Sequence, residues 1–205
     1  MTMLLTQLIC DLMKQNLLPF QGEVDYYPAF FTSEESEQYF QCLINEINWK
    51  QEPIQIFGKK IMQPRLTAWY GDAAKEYSYS GITMQPHLWT NNLLEIKHKI
   101  ETIEEVNFSS ALMNLYRDGK DSMGWHRDNE KELGQNPVIA SVSFGASRVF
   151  QLRNYQDKTL VKSIELGSGS LLIMKGETQH FWEHRIPKTS KTIGARVNLT
   201  FRVIV

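Results

Sequence analysis

The C-terminal stretch Arg196-Val-Asn-Leu-Thr-Phe-Arg202 alternates polar and apolar residues without a break. Successive side chains of a β-strand point to opposite faces, so Arg196, Asn198, Thr200 and Arg202 share one face while Val197, Leu199 and Phe201 share the other. The ordinary reading is a strand with one solvated face. The alternative turns two arginines inward, and then they need anionic partners, because burying an unpaired charge is costly.

Upstream of this strand, from about residue 108, the chain reads as short β-runs: 111–116, 138–144, 148–152, 161–166 and 170–174, divided by turn signals such as Asp118-Gly119 and Gly167-Ser-Gly169. The N-terminal third differs. Thr32-Ser-Glu-Glu35 has the form of a capping box, and Tyr39, Phe40, Leu43, Ile44 and Ile47 follow at helical spacing, which predicts a helix over roughly 33–47. Leu93, Ile96, Ile100 and Ile103 predict a second over about 91–104. Residues 54–86 read as short strands and turns, with extended positions before Pro64 and Pro86. Two helices followed by many short strands predict an α+β, mainly β fold: a double-stranded β-helix, or jelly roll, buttressed by the helices. A length of 205 residues suits one domain, with about 1–107 as helical support and lid and about 108–205 as the jelly-roll core.

Composition narrows the function classes. With 42% hydrophobic and 22% charged residues, the chain reads as an ordinary globular protein rather than a disordered or membrane-spanning one. Cys10 and Cys42 lack zinc or redox spacing, so a reducing, intracellular setting is the expectation. Residues 1–13 are fairly apolar but have no basic leader and are interrupted by Asp11, so they read as a packed helix rather than a signal peptide. A net charge of −1 does not advertise a nucleic-acid binder, and any such binding must use a local basic patch. A monomer is expected, with no membrane partner.

Chemistry concentrates in Trp125-His126-Arg127-Asp128. If this segment is extended, His126 and Asp128 project to one side and can grip one ion. Two histidines and a carboxylate make the facial triad of non-haem iron sites. The third ligand must come from the remaining histidines, His87, His98, His180 or His184. A His-x-Asp pair alone is weak evidence. Its combination with a downstream His and the arginines of the final strand is stronger.

The ordered motifs Asn114-Leu-Tyr116-Arg-Asp118-Gly119, His126-Arg-Asp128-Asn-Glu130, Ala140-Ser-Val-Ser-Phe-Gly145, His184-Arg-Ile-Pro187 and Arg196-Val-Asn-Leu-Thr-Phe-Arg202 resemble the AlkB family of oxidative nucleic-acid dealkylases, in particular the subgroup with DNA-repair homologues. The resemblance runs from about Phe57 to the C-terminus. It implies Fe(II) held by His126, Asp128 and His184, since His184 stands in the His-x-x-Pro stretch and His180 does not. It implies 2-oxoglutarate and O2 as cosubstrates, with Arg196 and Tyr116 on the distal carboxylate. Asn114, Asn198 and Thr200 would line that site, and Arg202 would lie near the C1 end. It implies removal of N-methyl groups from 1-methyladenine or 3-methylcytosine in DNA, with formaldehyde and succinate as products.

The same resemblance gives a nucleotide-recognition lid. Phe57 would be a wedge filling the gap of a flipped base, and Tyr79, where the subgroup commonly has Phe, would stack on it opposite His126. Tyr77, Ser80 and Arg65 would line the base pocket, and Glu130 would accept from an exocyclic amine. Flipping costs roughly a few kcal/mol, and aromatic stacking returns about 1–3 kcal/mol per base. Trp69 and Tyr70 read at least as readily as core residues. The alternative functions are the same oxygenase chemistry on RNA or another methylated substrate, and an inactive jelly-roll binding module.

Overall fold

A computed structural model describes residues 16–56, 59–73, 77–79, 82–84 and 86–205, with only the backbone path at 55–56, 77–79 and 82–84. The expected helix over residues 1–13 lies outside these. In chain order the elements are β1 (Glu23–Tyr27), α1 (Ser33–Glu46), β2 (Pro53–Ile56), β3 (Lys59–Met62), β4 (Leu66–Gly71), β5 (Tyr77–Tyr79), β6 (Ile82–Met84), β7 (His87–Leu88), α2 (Asn91–Glu101), β8 (Ser110–Tyr116), β9 (Met123–His126), β10 (Ile139–Gly145), β11 (Arg148–Asn154), β12 (Val161–Leu166), β13 (Ser170–Lys175), α3 (Thr178–Phe181), β14 (Trp182–Ile186) and β15 (Arg196–Arg202).

Among the described residues two sheets face each other. The larger has the order β1-β13-β10-β15-β8-β4-β7, the smaller β12-β11-β14-β9, and β2-β3 and β5-β6 form separate two-stranded pieces. Helices α1 and α2 cover the outer side of the large sheet. Leu43 and Ile47 of α1 and Leu93, Ile96 and Ile100 of α2 share one core with Ala111, Met113, Val142, Phe144, Val197, Leu199 and Phe201. A second core lies between the sheets, built from Tyr116, Ile139, Phe150, Leu152, Leu172, Met174, Trp182 and Ile186. This is the jelly roll with helical buttress expected from the sequence.

The deciding strand sits in the middle of the large sheet, between β10 and β8, and all seven of its residues are buried. Its alternation therefore does not separate core from solvent. Val197, Leu199 and Phe201 are fully buried against the helical layer, each stabilising the fold by roughly 1.5–3 kcal/mol. The polar set turns into the space between the sheets. The solvated-face reading fails because β15 has neighbours on both edges and layers on both faces.

Local chemistry sets the helix ends. The Glu35 N–H donates to Thr32 Oγ1 at 3.1 Å and the Thr32 N–H to Glu35 Oε2 at 2.8 Å, completing the capping box. Glu35 also accepts from Lys99 Nζ at 2.8 Å, tying α1 to α2. Helix α2 ends at Glu101 rather than near 104. The Thr102 hydroxyl donates to the Lys99 carbonyl, and the Ile103 N–H bonds back only three residues to Ile100, which tightens and closes the last turn. Gly169 has φ +76°, and a Cβ there would meet the Phe31 carbonyl oxygen at 2.7 Å. The turn into β13 thus needs glycine both for its backbone conformation and for its closeness to the segment before α1. Trp69 and Tyr70 are buried in β4, which makes them core residues.

Candidate metal centre

Strand β14 brings the third ligand into place. It pairs antiparallel with β9 so that His184 lies directly opposite His126. The spacing Trp182, His184, Ile186 points these residues inward, while Glu183 and Arg185 take the other face. Sequence reading locates His184 but not this strand. Its inward residues are not uniformly apolar, so it lacks the usual signature of a half-buried strand.

One ligand atom from each of His126, Asp128 and His184 lies within 4.8 Å of the others. The imidazole centroids are 4.2 Å apart, and His126 Nε2 stands 3.8 Å from Asp128 Oδ1. His126 Nδ1 is 2.9 Å from the Gly124 carbonyl. With Nδ1–H donated there, Nε2 is left with its lone pair toward the site. Asp128 is fixed from two sides: its N–H donates to Gln179 Oε1 at 2.9 Å, and its Oδ2 accepts from Arg202 Nη2 at 2.6 Å. Gln179, on the short helix α3, is absent from the sequence expectations, because a helix of four residues leaves no periodic signal.

The protonation states suit a metal. Burial pulls His184 down to about 3, with the neighbouring His126 adding to it, and burial likewise lowers His126. For Asp128 burial favours the protonated acid, but the Arg202 cation foremost, with the two imidazoles beside it, outweighs this and holds the carboxyl well below its usual range. Two neutral imidazoles and a carboxylate are what a divalent ion requires of these ligands.

The rival histidines are elsewhere. His180 is exposed, with Nε2 2.8 Å from Asn136 Oδ1. His87 and His98 are also exposed, on β7 and α2.

Beside the triad, Arg196 is 1% exposed. Its Nη2 donates to Ser143 Oγ at 2.8 Å, but Nε and Nη1 are buried with no partner. Its guanidinium carbon lies 5.2 Å from the centre of the Tyr116 ring. Burial lowers its pKa to about 10, opposed in part by Tyr116, so the group stays charged. A planar cation with two unused donors, sealed from water, fits a carboxylate. The distal carboxylate of 2-oxoglutarate passes this test. Arg148 approaches Tyr116 from elsewhere at 5.5 Å, but its nitrogens are bound to the carbonyls of Asp118, Asp121 and Pro187, so its role is structural.

The remaining expected residues divide. Asn114, Tyr116, Asn198, Thr200 and Arg202 line the same cavity as the triad and Arg196. Asn198 Nδ2 is committed to Ser141 Oγ and the Val142 carbonyl. Arg202, expected near the C1 end of the cosubstrate, grips Asp128 from within this cavity. Arg65, expected in the base pocket, is 3% exposed. It donates from Nε to Asn114 Oδ1 at 2.7 Å, which leaves the Asn114 amide nitrogen to face the cavity. Glu130 is half-buried and precedes the 3-10 turn Lys131–Leu133; it is not one of the residues lining this cavity. Tyr77 and Tyr79 lie on β5, of which only the backbone is described, and Phe57 and Ser80 lie outside the described residues. No described helix is long and apolar enough to cross a membrane, and Cys42 is a free thiol.

A two-sheet jelly roll holding two histidines, one carboxylate and an adjacent buried arginine defines the class of non-haem iron oxygenases that consume an oxo-diacid. The family described as the 2OG-Fe(II) oxygenase superfamily matches residues 23–202. The chain belongs to that superfamily and, within it, to the AlkB homologues. It is 43% identical to alpha-ketoglutarate-dependent dioxygenase alkB homolog 3 of Homo sapiens over 89% of its own length and 66% of the relative's. It is likewise 43% identical to the Bos taurus protein of that name, over 86% and 64%. With DNA oxidative demethylase ALKBH2 of Homo sapiens it shares 38% identity over 87% of its own length and 72% of the relative's. The chain thus spans somewhat less than two thirds of the alkB homolog 3 relatives. The solved structure of OsALKBH1 superposes with a TM-score of 0.65 at 18% identity, covering 87% of this chain and 97% of that one, which speaks to the fold.

Proposed function

We propose that residues 1–205 form one oxygenase domain that removes N-methyl groups from bases of the 1-methyladenine and 3-methylcytosine type in DNA, using Fe(II), O2 and 2-oxoglutarate. The observation that carries the reading is the one cavity shared by His126, Asp128, His184 and the two unused donors of Arg196. The names of the relatives point to the substrate class.

In this reading His126 Nε2, Asp128 Oδ1 and His184 would hold the metal, two imidazoles and one carboxylate being the protein ligand set of non-haem iron oxygenases. Arg196 holds the distal carboxylate of 2-oxoglutarate with Tyr116 beside it, which fixes the diacid in one orientation. Asn114, oriented by Arg65, donates its amide N–H into the same cavity. Arg202 keeps Asp128 ionised and pointed at the metal. The bound iron with O2 and 2-oxoglutarate supplies oxidation of the N-methyl carbon, giving formaldehyde, succinate, carbon dioxide and the unmodified base. Tyr77, Tyr79, Ser80 and Glu130 are assigned to the flipped base and Phe57 to the gap it leaves.

The test is formaldehyde release from methylated oligonucleotides with iron, ascorbate and 2-oxoglutarate, comparing single-stranded DNA, duplex DNA and RNA. The wild-type chain is expected to turn over a DNA substrate and Asp128→Ala to abolish turnover. Retained turnover in Asp128→Ala would remove the triad from the mechanism, and turnover of RNA alone would move the substrate assignment to RNA.

A further inference from the structure

Helix α3 is four residues long and lies at the corner where the chain crosses from the large sheet, at β13, to the small sheet, at β14. It leads straight into the strand that carries His184. Three of its residues also reach other segments. Gln179, 1% exposed, accepts the Asp128 N–H on Oε1 at 2.9 Å and donates from Nε2 to the Met174 sulfur at 3.6 Å. The His180 carbonyl accepts from Arg127 Nη1 at 3.1 Å. Thr178 Oγ1 accepts the Glu23 N–H at 2.9 Å and donates to the Lys175 carbonyl at 2.6 Å.

The carboxylate ligand needs such a hold. The last paired residue of β9 is His126, opposite His184, so Asp128 lies two residues past the ladder. Among the described residues, no backbone–backbone hydrogen bond outside the ladders reaches 127–129. Arg202 acts on the Asp128 carboxylate, whereas Gln179 acts on its main chain. The orientation of the Gln179 amide follows from its partners. A backbone N–H can only donate, so the oxygen must turn to Asp128, and the nitrogen is left for the weakly accepting thioether. At the other end of the helix, Gly22 has φ +132°, and a Cβ there would meet Thr178 Oγ1 at 2.6 Å. The lead-in to β1 is thus pressed directly against α3.

We propose that α3 is a bracket that sets the carboxylate ligand against His184, with Gln179 as the positioning residue for Asp128 and Thr178 as its anchor on β1. The inference rests on the metal-site reading and adds what spaces the ligands. Gln179 does not line the cavity, so it acts on the ion only through Asp128. Hydrogen-bond partners of this kind, one step removed from a metal, hold its ligands in the binding geometry and raise affinity.

The test is titration of the full chain with Co(II) alone under argon, read by calorimetry and by the visible d–d bands, which report the ligand geometry. Gln179→Met keeps the volume and loses the acceptor. It should weaken Co(II) binding by about 10–100-fold and move the bands. Gln179→Glu keeps an oxygen for the Asp128 N–H and should bind more tightly than Gln179→Met. Thr178→Val frees the helix from β1 and should weaken binding by a smaller factor. Thr32→Ala, destabilised far from the site, should bind and absorb like wild type. With Co(II) saturating, 2-oxoglutarate affinity in Gln179→Met should change less than Co(II) affinity, because Arg196 and Tyr116 are untouched. The bracket is overturned if Gln179→Met binds and absorbs like wild type, if Thr32→Ala loses as much affinity, or if Thr178→Val leaves binding unchanged. A wild-type chain that binds no Co(II) would instead sink the metal reading, and this inference with it.

Discussion

The two ends of β15 present the same side chain to the same interior, yet they are in opposite states. Arg202 is committed to a charged partner, its Nη2 donating to Asp128 Oδ2 at 2.6 Å. Arg196, six residues earlier on the same face, holds one serine hydroxyl and has no protein partner for its buried Nε and Nη1. An unsatisfied buried charge costs stability, and a fold retains one where something else is meant to satisfy it. The difference separates a residue that builds the metal centre from a residue that waits for a ligand, a distinction that sequence spacing does not reveal.

The sharpest way to break this comparison is to remove both charges in turn. Arg202→Met should be the more damaging, because it strands Asp128 as a buried, unpaired carboxylate. A loss of about 3–5 kcal/mol is expected from breaking a buried pair at one partner, measured by chemical denaturation of the metal-free chain. Metal affinity should also fall, by about 10–100-fold. Arg196→Met removes an unpaired charge, so the metal-free chain should be as stable as wild type or more so. Anaerobic calorimetry should show the binding of 2-oxoglutarate to the iron-loaded protein reduced at least a hundredfold. If both variants lose equal stability, the two arginines are not in different states.

Arg65→Met tests the cosubstrate side more gently. It frees the Asn114 amide to turn over without touching the triad. One charge-assisted hydrogen bond is worth roughly 1.5–3 kcal/mol, of which a part, about tenfold in 2-oxoglutarate affinity, should appear as weaker binding. Unchanged affinity would return Arg65 to a purely structural role.

The smallest expected effect lies far from the cavity and serves as the reference. The Lys99 ammonium and then the Thr32 contacts hold the Glu35 carboxyl below its ordinary 4.5. A lowered folded value means that its contribution is complete above pH 4.5 and is lost as the pH falls through the folded value. Thr32→Ala should cost about 1 kcal/mol, and Glu35→Gln should flatten the acid side of the stability profile. Neither should alter metal affinity.

Much of this is legible in the chain. The strict alternation at 196–202, the capping box at Thr32 and the His-x-Asp pair are local patterns, because period-two alternation and helix capping are decided within a few residues. The pairing of Arg202 with Asp128, the Gln179 bond to the Asp128 backbone and the burial of both faces of β15 are long-range facts, set by which strands become neighbours. Arg65 shows the limit well. Its resemblance-based place in the base pocket puts it near the right site, but only the packing reveals Asn114 as its partner. For Trp69 and Tyr70 residue type allows core packing at least as readily as substrate contact, and their burial decides for the core.

The pairing of β9 with β14 has a kinetic consequence. Among the described residues β9 is an edge strand of the small sheet, paired only with β14, with a register irregularity between His184 and Ile186. A slip of one residue would turn His126 to the outside. Because His126 and His184 would both hold the ion, loading it would tie this border to the interior and penalise every slipped alignment. Amide hydrogens of Met123 to His126 should therefore exchange with solvent much more slowly once iron is loaded, so the ion acts as a fastener for the sheet before it acts on any substrate.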